Sequence, residues 1–245
     1  MKTISPSQPV VYVPGHHKRP PHELSWVILS DFDGTISRQD VTDTLIDAFG
    51  NERCRELESR WEAGEIGSRE CMAGQIAELR ASPAELDACI DSISLDPDFA
   101  DFVGDAKTRG LEVRILSDGL DRAIHRLLHQ HDLAHLQVTA NKLSYRGQGR
   151  WHLDFPYADP DCRKRSGHCK CMQLERCQQA GEHVLYIGDG SSDFCVSGEA
   201  DMIFAKDKLL SYCQQHHLYH HAIHGFAAAR ALLDQALSLH RERRA

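Results

Sequence analysis

The run VILSDFDGTIS, residues 27–37, ends an apolar stretch in two carboxylates, Asp31 and Asp33, one residue apart. Like charges at that spacing are costly unless a cation or a shared proton compensates. The pattern recurs. EVRILSDG (112–119) ends an apolar run in Ser117, Asp118 and Gly119, and HVLYIGDGSSD (183–193) ends one in Asp189 and Asp193. Any one of these acids is most simply a helix N-cap or a solvated loop residue. Gathered in one crevice they require a hard cation, and oxygen ligands without a nearby histidine point to Mg2+. Beside such a cation, one carboxylate can serve as nucleophile and another can give and take a proton.

Gathering them is the task of the surrounding elements. Apolar, β-branched runs at 26–32, 112–117, 183–189 and 201–206 read as buried strands. Helical patterns separate them, which predicts an α/β fold: a Rossmann-like parallel sheet flanked by helices. In such a sheet the C-terminal strand edge is where ligands bind, and three of the four runs end there in polar residues. The segment LQVTANKLSYRGQGRWHLDFP (136–156) predicts an appended β-hairpin turning at RGQG.

About eighty residues separate the first two strands, far more than a crossover needs. They read as successive helices. Asp40 and Gly50 bound one, Ser68 opens another, and Ser82, Pro83 and Glu85 form a capping box. In DPDFADFVGDAKTRG, Pro97 is expected inside the helix start and Gly110 past its end. The predicted organisation is an N-terminal arm (1–25, extended or flexible), an α/β core (26–39 and 96–245) and a helical cap (40–95).

The chain has 245 residues, 41% hydrophobic and 26% charged, as expected of a folded globular protein. A net charge of −8 argues against a nucleic-acid partner. No apolar run reaches the ~18 residues of a membrane span. The arm lacks the apolar region of a signal peptide, and nine cysteines, an odd number, read as reduced thiols, so a cytoplasmic protein is expected. Cys162, His168, Cys169 and Cys171 are zinc-compatible types without C-x2-C spacing, and ordinary loop thiols are the expectation.

In order, DFDGT (31–35), ILSDG (115–119), a lysine opening a helix and GDGSSD (188–193) resemble the four motifs of the haloacid dehalogenase superfamily. The resemblance implies Asp31 as nucleophile, forming an aspartyl-phosphate, and Asp33 as general acid and then general base. Thr35 and Ser117 would hydrogen-bond the phosphoryl group, with Gly34, Asp118 and Gly119 beside it. Lys170 would neutralise Asp31 and the phosphate. It is preferred over Lys164 because it opens the helical pattern KCMQLERCQQAG. Asp31, Asp189, Asp193 and the Asp33 main-chain carbonyl would hold Mg2+.

A helical cap between the first two motifs resembles the phosphoserine-phosphatase-like branch. YIGDGSSDFC (186–195) and ADMIFAKDKLLSYC (200–213) are most similar to the methionine-salvage phosphatases acting on 2-hydroxy-3-keto-5-methylthiopentenyl-1-phosphate. The function implied is Mg2+-dependent hydrolysis of a small phosphorylated metabolite. Phosphoserine, phosphoethanolamine and phosphocholine are alternative substrates. Transfer to an acceptor other than water and a non-catalytic phosphoryl-binding regulatory domain are alternative functions. Asp40, seven residues after Asp33, either meets the substrate or caps its helix.

Overall fold

The computed structural model describes residues 25–162 and 164–244. The arm expected over 1–25 therefore lies outside the described residues, except for Ser25, which opens the first strand.

Strand β1 (Ser25–Ser30) is the central strand of a seven-stranded sheet, ordered β4-β3-β2-β1-β5-β6-β7. Between its terminal serines it is apolar because both its faces are covered. Trp26 and Ile28 join one hydrophobic cluster, Val27 and Leu29 another. Burying each large aliphatic side chain stabilises by roughly 1.5–3 kcal/mol, so this strand is anchored from both sides. Its parallel neighbours are β2 (Glu112–Leu120) and β5 (Glu182–Gly188). Beyond β5 lie β6 (Met202–Ala205) and the two-residue β7 (His221–Ala222), which the sequence pattern did not predict.

The expected hairpin is present, but only half of it is an appendage. β3 (Gln137–Tyr145) pairs parallel with β2 and antiparallel with β4 (Trp151–Asp154), so it belongs to the sheet proper. On one face, α5 (Phe99–Thr108), α6 (Asp121–Gln130) and α9 (Phe226–Arg244) bring Phe102, Ile124 and Phe226 into one hydrophobic cluster with Ile28. On the other, α7 (Lys170–Gln179) packs Leu174 and Cys177 on Val27 and Leu29, and α8 (Asp207–Gln215) covers β6 through Leu209 and Cys213. Helix α5 starts later than expected, leaving Pro97 outside it. Asp96 forms a turn instead: its carboxylate accepts the N–H groups of Asp98 (3.0 Å) and Phe226 (3.3 Å).

Between β1 and β2 the chain inserts α1 (Val41–Phe49), α2 (Glu52–Glu62), α3 (Ser68–Glu78) and α4 (Pro83–Ile90). Asp40 caps α1 by accepting the Asp43 N–H (2.9 Å), and the Ser82–Glu85 capping box opens α4 as predicted. The insertion leaves and returns at one neck. There Arg38 N–H donates to Ser94 O and Asp96 N–H to Ile36 O, each at 2.8 Å. It shares the core's hydrophobic cluster through Val41, Leu45, Ile76, Leu86 and Ile90, while Leu57, Ile66 and Cys71 form a small cluster of their own. Arg122 pairs with Asp87 (2.8 Å), Arg126 pairs with Asp91, and Trp151 Nε1 donates to Ala81 O (2.9 Å), tying these helices to α6 and β4.

Candidate active site

Parallel pairing brings the C-terminal ends of β1, β2 and β5 to one edge of the sheet. Immediately beyond β1, Asp31 N–H bonds Ile187 O of β5 (2.9 Å). Its carboxylate accepts Phe32 N–H on Oδ1 (2.8 Å) and Lys170 Nζ on Oδ2 (2.7 Å). Gly34 then turns the chain with φ +71°, a conformation that glycine adopts without a steric penalty. A Cβ there would also sit 2.5 Å from Asp189 Oδ2.

Lys170, the first residue of α7, is 2% exposed and joins three side chains. Besides Asp31, it donates to Asp193 Oδ1 (2.7 Å) and Ser192 Oγ (3.0 Å). Asp193 is fully enclosed, and both its oxygens are engaged. Tyr186 Oη donates to Oδ1 (2.6 Å), and the N–H groups of Asp189 and Gly190 donate to Oδ2 (3.0 Å each). Asp193 thus shapes the loop that carries Asp189. The Thr35 hydroxyl donates to Asp189 Oδ1, and Lys206 Nζ holds Gly34 O at 2.7 Å.

Asp33 faces the β2 side. Its Oδ1 accepts the N–H of Val41, the first residue of α1 (2.9 Å), and Ser117 Oγ donates to its Oδ2 (3.3 Å). Ser117 Oγ also accepts Gly119 N–H (2.9 Å), and a Cβ at Gly119 would collide with the Asp33 carboxylate. Asp118 turns away from this group. Its carboxylate accepts His168 N–H (2.8 Å), Asn141 Nδ2 (3.0 Å) and Ser68 Oγ (3.1 Å).

Burial, with the charges of Asp193 and Asp189, pushes Asp31 well above the ordinary carboxylate range, although Lys170 opposes the shift. Burial, with a contribution from Asp193, raises Asp189 to about 6 against its Thr35 hydrogen bond. Burial and then the Asp40 charge raise Asp33 to about 7. Burial alone would lower Lys170, but Asp193 and Asp31 hold it protonated, with its pKa raised. One ammonium therefore faces more buried carboxylate charge than it can balance. Asp31, Asp189 and Asp193 each offer an oxygen, all within 4.8 Å of one another, and among the described residues they are the only such metal-ligating group. An all-oxygen donor set in an under-compensated acidic pocket fits a hard divalent cation. The Cys162, His168, Cys169 and Cys171 segment forms no such group. His168 Nε2 is 3.0 Å from Thr139 Oγ1, and Cys162 Sγ is 3.1 Å from Ser166 Oγ.

A family profile described as Putative Phosphatase matches residues 26–222. The chain belongs to that family. It is a phosphatase, a phosphoric monoester hydrolase. Pdp3-interacting factor 1 of Schizosaccharomyces pombe is 30% identical to it, over 77% of this chain and 86% of that protein. A 2-hydroxy-3-keto-5-methylthiopentenyl-1-phosphate phosphatase of Exiguobacterium sibiricum is 28% identical, over 77% of this chain and 87% of its own. A substrate-bound phosphoserine phosphatase structure shares the fold, with a TM-score of 0.64 at 18% identity over 87% of this chain and 99% of that one.

In this phosphatase, then, Asp31, Asp33, Gly34, Thr35, Ser117, Gly119, Lys170, Asp189 and Asp193 meet at one strand edge. Two residues of the expected set sit differently. The Asp40 side chain is exposed and occupied as the α1 cap, and Asp118 lies among side chains. Lys164 is exposed, whereas Lys170 is in the site. Sequence reasoning missed Tyr186, Ser192 and Lys206. Lys206 directly follows β6 at the same strand edge, and applying the edge rule to that strand would have found it.

Proposed function

We propose that this phosphatase uses Mg2+ and an aspartyl-phosphate on Asp31 to hydrolyse the phosphate monoester of a small metabolite. The substrate we propose is 2-hydroxy-3-keto-5-methylthiopentenyl-1-phosphate. The observation that carries the reading is the buried Asp31–Lys170 pair with Asp33 two residues on, at the sheet edge where the acidic group gathers. In the first half-reaction an Asp31 oxygen attacks phosphorus and the ester oxygen departs with the proton of Asp33. In the second, Asp33 takes a proton from water, which attacks the same phosphorus and releases Asp31. Lys170 compensates the charge that gathers on the phosphoryl oxygens, while Ser117 keeps Asp33 oriented. Asp31 and Asp189 would hold Mg2+, with Asp193 shaping the loop that carries Asp189, and the ion would supply further charge neutralisation at the phosphoryl group.

The methionine-salvage substrate is supported by relatives of that name at 28% and 27% identity. A phosphoserine-type contact from Asp40 to a substrate amine gains no support from Asp40's place as a helix cap. We assign residues 40–95 as the cap that encloses the leaving group. Phosphate release should be measured for this ester, phosphoserine, phosphoethanolamine and phosphocholine, with Mg2+ and with excess chelator. The salvage ester should show the highest kcat/KM, and chelation should abolish turnover. A higher value for phosphocholine would reject the substrate, and full activity in chelator would reject the metal.

A further inference from the structure

Asp118 follows Ser117 directly, yet its carboxylate is committed to protein groups on three other segments. Oδ1 accepts the main-chain N–H of His168 and the side-chain amide of Asn141 on β3, and Oδ2 accepts the hydroxyl of Ser68 at the start of α3. Asn141 Nδ2 bonds the Asp118 carbonyl as well (2.6 Å). The approach of the loop is close. A Cβ at Gly167 would lie 2.8 Å from Asp118 Oδ1 and 2.5 Å from the Phe155 ring, so only glycine lets the chain press onto this carboxylate. The next residues carry the consequence. His168 is 1% exposed, and Cys169 N–H closes the loop on Tyr157 O (3.0 Å). Lys170 then enters the site as the first residue of α7.

Helix α3 meets the same assembly. Its N-cap is Gly67, which offers no side-chain cap, and Arg69 N–H is taken by Arg165 O (3.2 Å) of the same loop. Asp118 thus stands where β2, the Lys170 loop and the inserted helices converge.

We propose that Asp118 is a positioning residue, a hydrogen-bonded strut that sets the loop delivering Lys170 and ties α3 to the end of β2, rather than a contact for substrate. The inference builds on the assignment of Lys170 to the phosphoryl group. A strut acts through its acceptor geometry, and a substrate contact for a cationic group acts through its charge. Asn separates the two. Its carbonyl can still accept from His168 N–H and Asn141, and its amide can donate to the Ser68 hydroxyl, which accepts as readily as it donates.

The experiment compares Asp118→Ala and Asp118→Asn with the wild type by hydrogen exchange over residues 164–171 and by kcat and KM on an aryl phosphate. Asp118→Ala should speed exchange in that loop and lower kcat about a hundredfold, while Asp118→Asn stays within about threefold of wild type in kcat, because an ångström of misplacement is what costs rate. Equal losses in both variants would overturn the proposal in favour of charge. Unchanged loop exchange in Asp118→Ala would overturn it too, as would a general loss of protection with normal kcat in the folded fraction. If the wild type released no phosphate from any ester, the mechanistic reading would fall, and loop exchange would still decide the strut.

Discussion

At the strand edge, the floor of the site, Lys170 is 2% exposed and lies between two buried carboxylates, whereas the inserted helices are fastened to α6 by Arg122–Asp87 and Arg126–Asp91, whose side chains remain 20–38% exposed. Removing one partner of a buried pair strands a charge away from water and costs about 3–5 kcal/mol. An exposed pair contributes about 0–1 kcal/mol, since water substitutes for the lost partner. The floor therefore has one workable arrangement, fixed by charge. The inserted helices, the roof in the cap assignment proposed above, share apolar residues with the core, but their ion pairs to α6 are each replaceable.

The sharpest test of this contrast is on the floor. Asp31→Asn should lower kcat by about a thousandfold or more, as losing a nucleophile does, and leave the circular dichroism spectrum unchanged. Retention of a tenth of wild-type activity would remove Asp31 from its role. Lys170→Met should destabilise the protein by about 3–5 kcal/mol in urea unfolding, because Asp31 and Asp193 are left facing each other. A loss below 1 kcal/mol would place the floor in the same class as the roof.

A smaller effect comes from pH. Protonated Asp189 cannot ligate a cation, and burial raises its pKa to about 6. Mg2+ affinity should therefore rise with pH, with the proton competing fully below 6 and negligibly above 7. Proton competition at Asp189 alone weakens binding about fourfold at pH 5.5 relative to pH 7.5, and Asp31, raised in the same direction, adds to it. Calorimetric Mg2+ titrations at the two pH values check this, and equal affinities would contradict it.

Least disruptive are changes in the roof. Asp40→Ala removes the α1 cap and should cost about 0.5–2 kcal/mol, with the order of kcat/KM among four phosphate esters unchanged. A reordered series would return Asp40 to the substrate. Arg126→Ala should cost less than about 1 kcal/mol.

The sheet and the floor were legible in the sequence for one physical reason. A strand buried on both faces is written as a continuous apolar run, and acids that close such runs stand out against it. Val27–Leu29 followed by Asp31 is a contrast of this kind. Helix α2 was harder to see because only Cys54 and Leu57 are buried in it, too few to set a period. β7 is two residues long and exists only through pairing with β6. The orientation of Asp118 could not be read locally, since its partners Ser68, Asn141 and His168 are distant in sequence. Asp40 kept two readings because a carboxylate before a helix has the same sequence signature whether it meets a ligand or the helix's own N–H groups.

The central position of β1 has a consequence for how the molecule comes into being. Val27 is paired with Glu112 on one side and Val184 on the other, partners more than 80 and more than 150 residues downstream. Closing loops of that size is slow, and ribosomal synthesis delivers β1 long before either neighbour. During that interval an apolar strand leading into Asp31, the proposed nucleophile, has both edges unpaired, a template for aggregation. Only when β5 emerges can Asp31, Lys170 and Asp189 come together, so the ability to cleave an ester arrives in one late step of folding.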